Sequence, residues 1–209
     1  MRTLLILFLL MPLRALPQSG CQLELDKDSI SVYTCPRPDS RYKTIKSVFQ
    51  VKGTLSELAA AVLDINGYKA WQYKTSSVRV LNRISDREVV YHTEVEAPVL
   101  TSNRDFVIRL TVDPDPMTKG MIIEAVSIPD YIPAKENVIR VPYSRARWSV
   151  TPAGPGRLAV QYVIDIDLGG AVPPWIVNLF AAKAPYETFK SLRDVIGNYR
   201  GQRVSFLGN

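Results

Sequence analysis

The chain predicts an α+β domain in which a meander of antiparallel strands carries one early helix and one late helix. Three observations predict it. A capping box at Thr54 opens a short helical repeat. A series of strand-like runs follows, each separated from the next by turn signals. A last amphipathic run, from Pro173 or Pro174 to about Tyr199, closes the chain.

Residues 1–17 read as a secretory signal. Arg2 supplies the positive start, Leu4 to Leu13 the apolar core, and no acidic residue precedes Glu24. The apolar run is about ten residues, where roughly 20 are needed to span a bilayer. No other stretch is long and apolar enough to cross, so the expectation is a soluble exported protein, periplasmic or secreted, from a bacterium. Residues 21–209, roughly 190 in all, suit one domain with its own core. The formal charge is +6. Loss of Arg2 and Arg14 with the signal leaves about +4. The basic residues are scattered and match no nucleic-acid motif. No feature signals oligomerisation, so a monomer is expected.

Cys21 and Cys35 flank Leu23 to Tyr33, where apolar alternation on both sides of Asp26-Lys27-Asp28-Ser29 reads as a β-hairpin. Folding it about Asp28 sets Cys21 opposite Cys35. Two readings stand. In one the cysteines form a disulfide, closing a loop that contributes about 3 kcal/mol in the chain-entropy account. In the other Cys21, which follows Ser19-Gly20 and an apolar core, is the lipidated first residue of a lipoprotein.

In Thr54-Leu55-Ser56-Glu57 the Thr54 hydroxyl and the Glu57 side chain each satisfy a helix-start amide. Leu55, Leu58, Ala59, Val62 and Leu63 recur at helical spacing, and Asn66-Gly67 predicts the end of the helix. Strand runs follow at Val78 to Ile84, Glu88 to Ala97, Phe106 to Val112, Met121 to Ile128, Arg145 to Val150 and Leu158 to Leu168. Asp113-Pro114-Asp115-Pro116 is among the turn signals between them. In the last run Leu158, Val160, Tyr162, Ile164, Ile166 and Leu168 share one face. Pro185 lies inside the late helical run and predicts a kink or break there.

The chemistry-bearing residues are few. His92 is the only histidine. It shares strand parity with Glu94 and Glu96, which predicts a solvated face. No metal cluster, G-x-S-x-G elbow or Gly-rich phosphate loop is present, so no metal, cofactor or catalytic residue is expected. Arg104 shares the apolar face of Phe106, Ile108 and Leu110, and a charge there is costly unless paired. Asp105 points to the opposite face and reads as a structural turn acid.

Asn103-Arg104-Asp105-Phe106-Val107 after an alternating strand, Asp165-Ile166-Asp167-Leu168-Gly169-Gly170-Ala171-Val172-Pro173, and a closing helix occur in that order. With the hairpin at Asp26 to Tyr33 and Ala61-Val62-Leu63-Asp64 before Trp71, they resemble the START (StAR-related lipid transfer) family. The resemblance extends from about Leu23 to Tyr199. It implies a helix-grip fold, a curved antiparallel sheet wrapped around a long C-terminal helix with an internal hydrophobic cavity. Parity and resemblance together assign the lining to Tyr91, Thr93, Val95, Arg104, Phe106, Ile108, Leu110, Trp148 and Tyr162. Ile164 and Ile123 or its neighbours join them, and Trp175, Leu179 and Phe180 close the cavity from the helix. Each of these is equally compatible with ordinary core.

For Arg104 the resemblance implies a hold on a ligand's polar head or an ordered water; a salt bridge or backbone contact at the turn is the alternative. The Pro129-Asp130-Tyr131-Ile132-Pro133 loop reads either as a membrane-touching rim or as a rigid turn packed on its own domain. The implied function is binding and transfer of a lipid, whether sterol-like, fatty acid or phospholipid. The same architecture also hosts cyclases and hydrolases of small aromatic or polyketide-like substrates, and a lipid-sensing role is a third class.

Overall fold

The computed structural model describes residues 20–36, 44–97, 101–172 and 179–207, with only the backbone described at 179 and 180. The signal read at 1–17 and the Trp175 assignment lie outside the described residues. Among these residues no helix is long and apolar enough to cross a membrane.

Strands β1 (Gln22–Lys27) and β2 (Ile30–Cys35) form the first hairpin. Asp28 and Ser29 turn it with φ of 52° and 56°. Two successive positive φ values make the turn whose twist matches that of the flanking strands. Gln22 faces Thr34, so the next pair outward, Cys21 and Cys35, meet and form a disulfide. The pair takes the disulfide of the two readings made for Cys21.

Strand β3 (Thr44–Lys52) was not among the strand runs read from the sequence. The buried Ser47 stands between Ile45 and Phe49 and interrupts the apolar alternation that would have marked it. Helix α1 (Leu55–Leu63) begins as the capping box predicts. The Glu57 N–H donates to Thr54 Oγ1 at 3.2 Å, and the Thr54 N–H donates to the Glu57 carboxylate at 2.9 Å. Asn66-Gly67 does not end the winding. Asp64 ends the α-helix instead, and its carboxylate accepts the Gly67 N–H at 3.3 Å to start a 3-10 turn, Ile65–Ala70.

The meander follows as β4 (Thr75–Arg83), β5 (Glu88–Val95), β6 (Asn103–Asp115), β7 (Gly120–Ser127), β8 (Val138–Arg140), β9 (Tyr143–Pro152) and β10 (Arg157–Asp167). β6 runs through Asp113-Pro114-Asp115, which the sequence marks as a turn. Its pairing with β5 stops at Thr111, so Pro114 sits where the strand has a partner only on the β7 side. A missing N–H is tolerated there.

The open ten-stranded sheet has the order β1-β2-β3-β10-β9-β7-β6-β5-β4, with β8 running parallel to the start of β6. Both outermost strands are irregular: β1 shifts register between Leu23 and Leu25, β4 between Thr75 and Ser77 and again between Val80 and Asn82.

The last helical run passes from a π-helical turn, Leu179–Lys183, into α2 (Ala184–Val195) and a 3-10 turn, Ile196–Tyr199. The change of winding falls just before Pro185, which has no N–H to offer the preceding turn. The start read at Pro173 or Pro174 lies outside the described residues. α2 lays Tyr186, Phe189 and Leu192 onto the concave side of the sheet, and Phe189 stacks on Phe49 with ring centroids 4.3 Å apart. Contacts from both ends of the helix tie it to the first hairpin and to β3. Tyr186 donates to Asp28, and the Arg193 guanidinium reaches the carbonyls of Gln50 at 2.7 Å and Ser29 at 2.9 Å.

Candidate functional site

Strand alternation aims one row of side chains from β5, β6, β9 and β10 at α2, and the helix does not fill the space they enclose. A cavity of about 210 Å³ remains. Tyr91, Thr93 and Val95 come to it from β5, Phe106, Ile108 and Leu110 from β6, and Trp148 from β9. Tyr162, Ile164 and Ile166 come from β10, and Ala184, Pro185, Thr188 and Phe189 form the helix side. Trp148 meets Tyr162 and Phe189 edge to face at 5.4 and 5.3 Å, the geometry aromatic rings prefer. Of the residues assigned from the sequence, Tyr91, Thr93, Val95, Phe106, Ile108, Leu110, Trp148 and Tyr162 line this space. The register of β7 places Ile123 in the core and brings Ala125 to the cavity. Leu179 and Phe180 lie in the π-helical turn, and their side chains are outside the described set.

Arg104 does not line the cavity. It is buried at the start of β6, where it pairs with Ile139 of β8, and its guanidinium turns back to donate to the Ser102 carbonyl at 2.6 Å. Burial lowers the pKa of its guanidinium. Among the described lining residues no side chain is charged. The polar groups there divide into two kinds. Thr93 donates to the Ser77 carbonyl at 3.2 Å, and Thr188 accepts the Tyr73 N–H at 3.1 Å. Trp71 Nε1 and Thr75 Oγ1 are buried and have no hydrogen-bond partner among the described residues. Burial pushes the Tyr91 and Tyr162 hydroxyls well above their ordinary pKa, so both are neutral near pH 7.

Sequence reasoning missed Trp71, Gln72, Tyr73 and Thr75 as lining residues. They form a short wall between the 3-10 turn and β4, with Lys74 at φ 57° letting the chain reverse. No periodic pattern runs through such a segment.

Residues 23–201 match the START domain family. The chain belongs to that family. It is 28% identical over 173 residues to an uncharacterized protein of Pseudomonas aeruginosa, covering 82% of this chain and 84% of that one. It is also 28% identical over 193 residues to the mouse phosphatidylcholine transfer protein, covering 87% of this chain and 85% of that protein. The crystal structure of a STAR-related lipid transfer protein from Xanthomonas axonopodis superposes with a TM-score of 0.77 at 24% identity, over 85% of this chain and 99% of that one. A Streptomyces aromatase/cyclase shares the fold more distantly, with a TM-score of 0.53 at 13% identity over 76% of this chain and 95% of that one.

The outer face of this START sheet holds a different construction. His92, expected in solvent, is 1% exposed. Its Nε2 lies 2.9 Å from Asp105 Oδ2, and Asp105 also receives Arg140 through Nε at 3.0 Å and a terminal nitrogen at 2.9 Å. Arg140 further donates to the carbonyls of Pro129, Ile132 and Pro133. Parity placed His92 on the outer face correctly, but the chain between β7 and β9 folds back over that face and seals it. Asp105 is thus a buried bridge within a strand and not a turn acid. Burial alone would raise its carboxyl, yet the hydrogen bonds from Arg140 and His92 hold it below the usual carboxylate range. The Pro129–Pro133 loop is held to Arg140 through three of its carbonyls, while Tyr131 stays 48% exposed.

Proposed function

We propose that this START domain binds a hydrophobic lipid in the cavity between sheet and helix α2 and carries it between membranes. The observation that carries the reading is an uncharged, aromatic-walled cavity left open inside an otherwise packed domain. Each methylene moved from water into it contributes about 0.8 kcal/mol, so a long alkyl or ring system supplies its own driving force. Transfer requires transient contact with a bilayer and movement of the wall. The cavity, about 210 Å³, is below the roughly 300–1,000 Å³ of typical ligand pockets. A single-chain or compact ring ligand therefore fits with less rearrangement than a two-chain phospholipid.

The run at 1–17, read as an export signal, supports action in a bacterial periplasm or outside the cell, and the proposal takes the chain as a monomer. An enzymatic version, a cyclase or hydrolase, needs a group that titrates near neutrality beside the substrate. The described lining offers neutral tyrosines instead.

Native mass spectrometry of the mature domain, followed by organic extraction and a vesicle-to-vesicle transfer assay, tests the reading. A stoichiometric hydrophobic adduct that moves unchanged between vesicles is expected. A clean protein mass with no uptake from offered lipids, or recovery of a chemically altered ligand, would count against it.

A further inference from the structure

A buried N–H or hydroxyl without a partner is expensive, and native proteins keep few of them. Among the described residues four such side-chain atoms occur, on Ser47, Trp71, Thr75 and Arg104, and of these residues Trp71 and Thr75 line the cavity. Trp71 is 2% exposed and Thr75 is 9% exposed, both line the cavity, and neither Trp71 Nε1 nor Thr75 Oγ1 has a partner among the described residues. They are joined by one short segment whose backbone is fixed at several points. The Thr75 N–H donates to the Gln72 carbonyl at 3.3 Å, the Tyr73 N–H to Thr188 at 3.1 Å, and the Glu96 N–H to the Lys74 carbonyl at 2.9 Å. The ring of Trp71 is held edge to face by Tyr68 at 4.8 Å. Neither side chain is free to seek water by a small local shift.

Resting on the carrier reading, we propose that Trp71 and Thr75 are the polar anchor of the cavity, and that the ligand they select is an uncharged lipid presenting one neutral oxygen. An indole N–H can only donate, and a threonine hydroxyl both donates and accepts. The pair therefore matches a hydroxyl, or a ketone or ester carbonyl. The described lining holds no cation to neutralise a carboxylate or phosphate, and Arg104 is turned away to the Ser102 carbonyl. Tyr91 and Tyr162 also line the cavity, and the probe series compares them with the pair through the same two substitutions.

The test uses four probes of equal chain length, dodecan-1-ol, 2-dodecanone, dodecane and dodecanoate, titrated against the mature domain by native mass spectrometry. Wild type is compared with Trp71→Phe and Thr75→Val. The alcohol or the ketone is expected to bind about tenfold or more tightly than dodecane, the size of one well-made hydrogen bond. Each substitution should bring the ratio of alcohol to dodecane affinity down toward one, whatever it does to the affinity for dodecane alone. A preference for the alcohol over the ketone assigns the acceptor role to Thr75; equal affinity assigns donation alone. Because each substitution removes an unpartnered polar group, the ligand-free melting temperature should stay the same or rise.

Equal binding of dodecane and dodecan-1-ol by wild type would overturn the anchor while leaving the carrier reading in place. So would an advantage that survives both substitutions, and so would dodecanoate binding most tightly. Failure of all four probes, together with an empty organic extract, would remove the carrier reading and the anchor with it. The wild-type comparison among probes decides the matter even if a variant fails to fold.

Discussion

Arg104 and Asp105 are neighbours in β6, both fully buried, yet they look out on two unlike regions of the molecule. Asp105 enters the outer face, where His92 and Arg140 meet it and Arg140 in turn ties down three loop carbonyls. The residues after Arg104 on its own face, Phe106 and Ile108, enter the cavity, where two polar groups on the wall go unmet. The outer region buries charge and supplies every partner for the carboxylate. The inner one buries the Arg104 guanidinium at its margin, against the Ser102 carbonyl, and leaves a space whose described lining carries no charge. Burial of polar atoms thus means opposite things on the two faces: a closed network marks structure, and an open pair beside a void marks a place for something else.

The sharpest way to break this contrast is to remove the centre of the outer network. Asp105→Ala strands Arg140 and should destabilise the domain by about 3–5 kcal/mol, as loss of one member of a buried ion pair does. Urea unfolding measures it, and a loss under about 1 kcal/mol would mean that the cluster is not a structural clasp. The same carboxylate predicts an acid limb. Its pKa is depressed in the folded state. Its contribution is therefore complete above the unfolded value of about 3.9 and drains away as the pH falls through the lower folded one. In Asp105→Asn that part of the stability slope below about pH 4 should be missing, which unfolding curves at a series of acidic pH values would reveal.

On the inner face the expectation reverses. Ile108→Trp puts extra volume where the structure has room, so its stability should change by less than about 1 kcal/mol, although overpacking a filled core costs about 1–3. Lipid uptake, in contrast, should be lost. A large destabilisation with uptake retained would show that the cavity is not the binding space. The smallest effect is expected at the surface. Arg87 and Asp113 form a 3.2 Å pair with side chains 46% and 58% exposed. Arg87→Ala should shift stability by no more than about 0.5 kcal/mol, a baseline against which the outer cluster can be judged.

Much of the inner face was legible because a period of two is a backbone property. Once β5, β6 and β10 are recognised, Tyr91, Phe106 and Tyr162 must point the same way. What alternation cannot say is which loop returns to cover the opposite face, and so His92 was assigned to solvent. Nor does it mark a strand whose inward row includes a serine, as in β3, or a wall built from a turn, as at Trp71 to Thr75. The capping box was readable to the residue because both of its hydrogen bonds are local. The burial of Arg104 was readable too, but not the direction of its guanidinium, which depends on a carbonyl in the preceding turn.

The irregular first and last strands have a consequence for how this protein keeps its own company. A sheet that does not close exposes two rows of unpaired amides and carbonyls, and a straight row is a template on which another chain can crystallise as one more strand. Here the misstep after Leu23, next to the covalent tie at Cys21, and the two missteps along β4 bend each row out of line. Each edge therefore presents an interrupted ladder in place of a straight one. Crooked borders are one of the devices by which open sheets discourage the addition of a further strand.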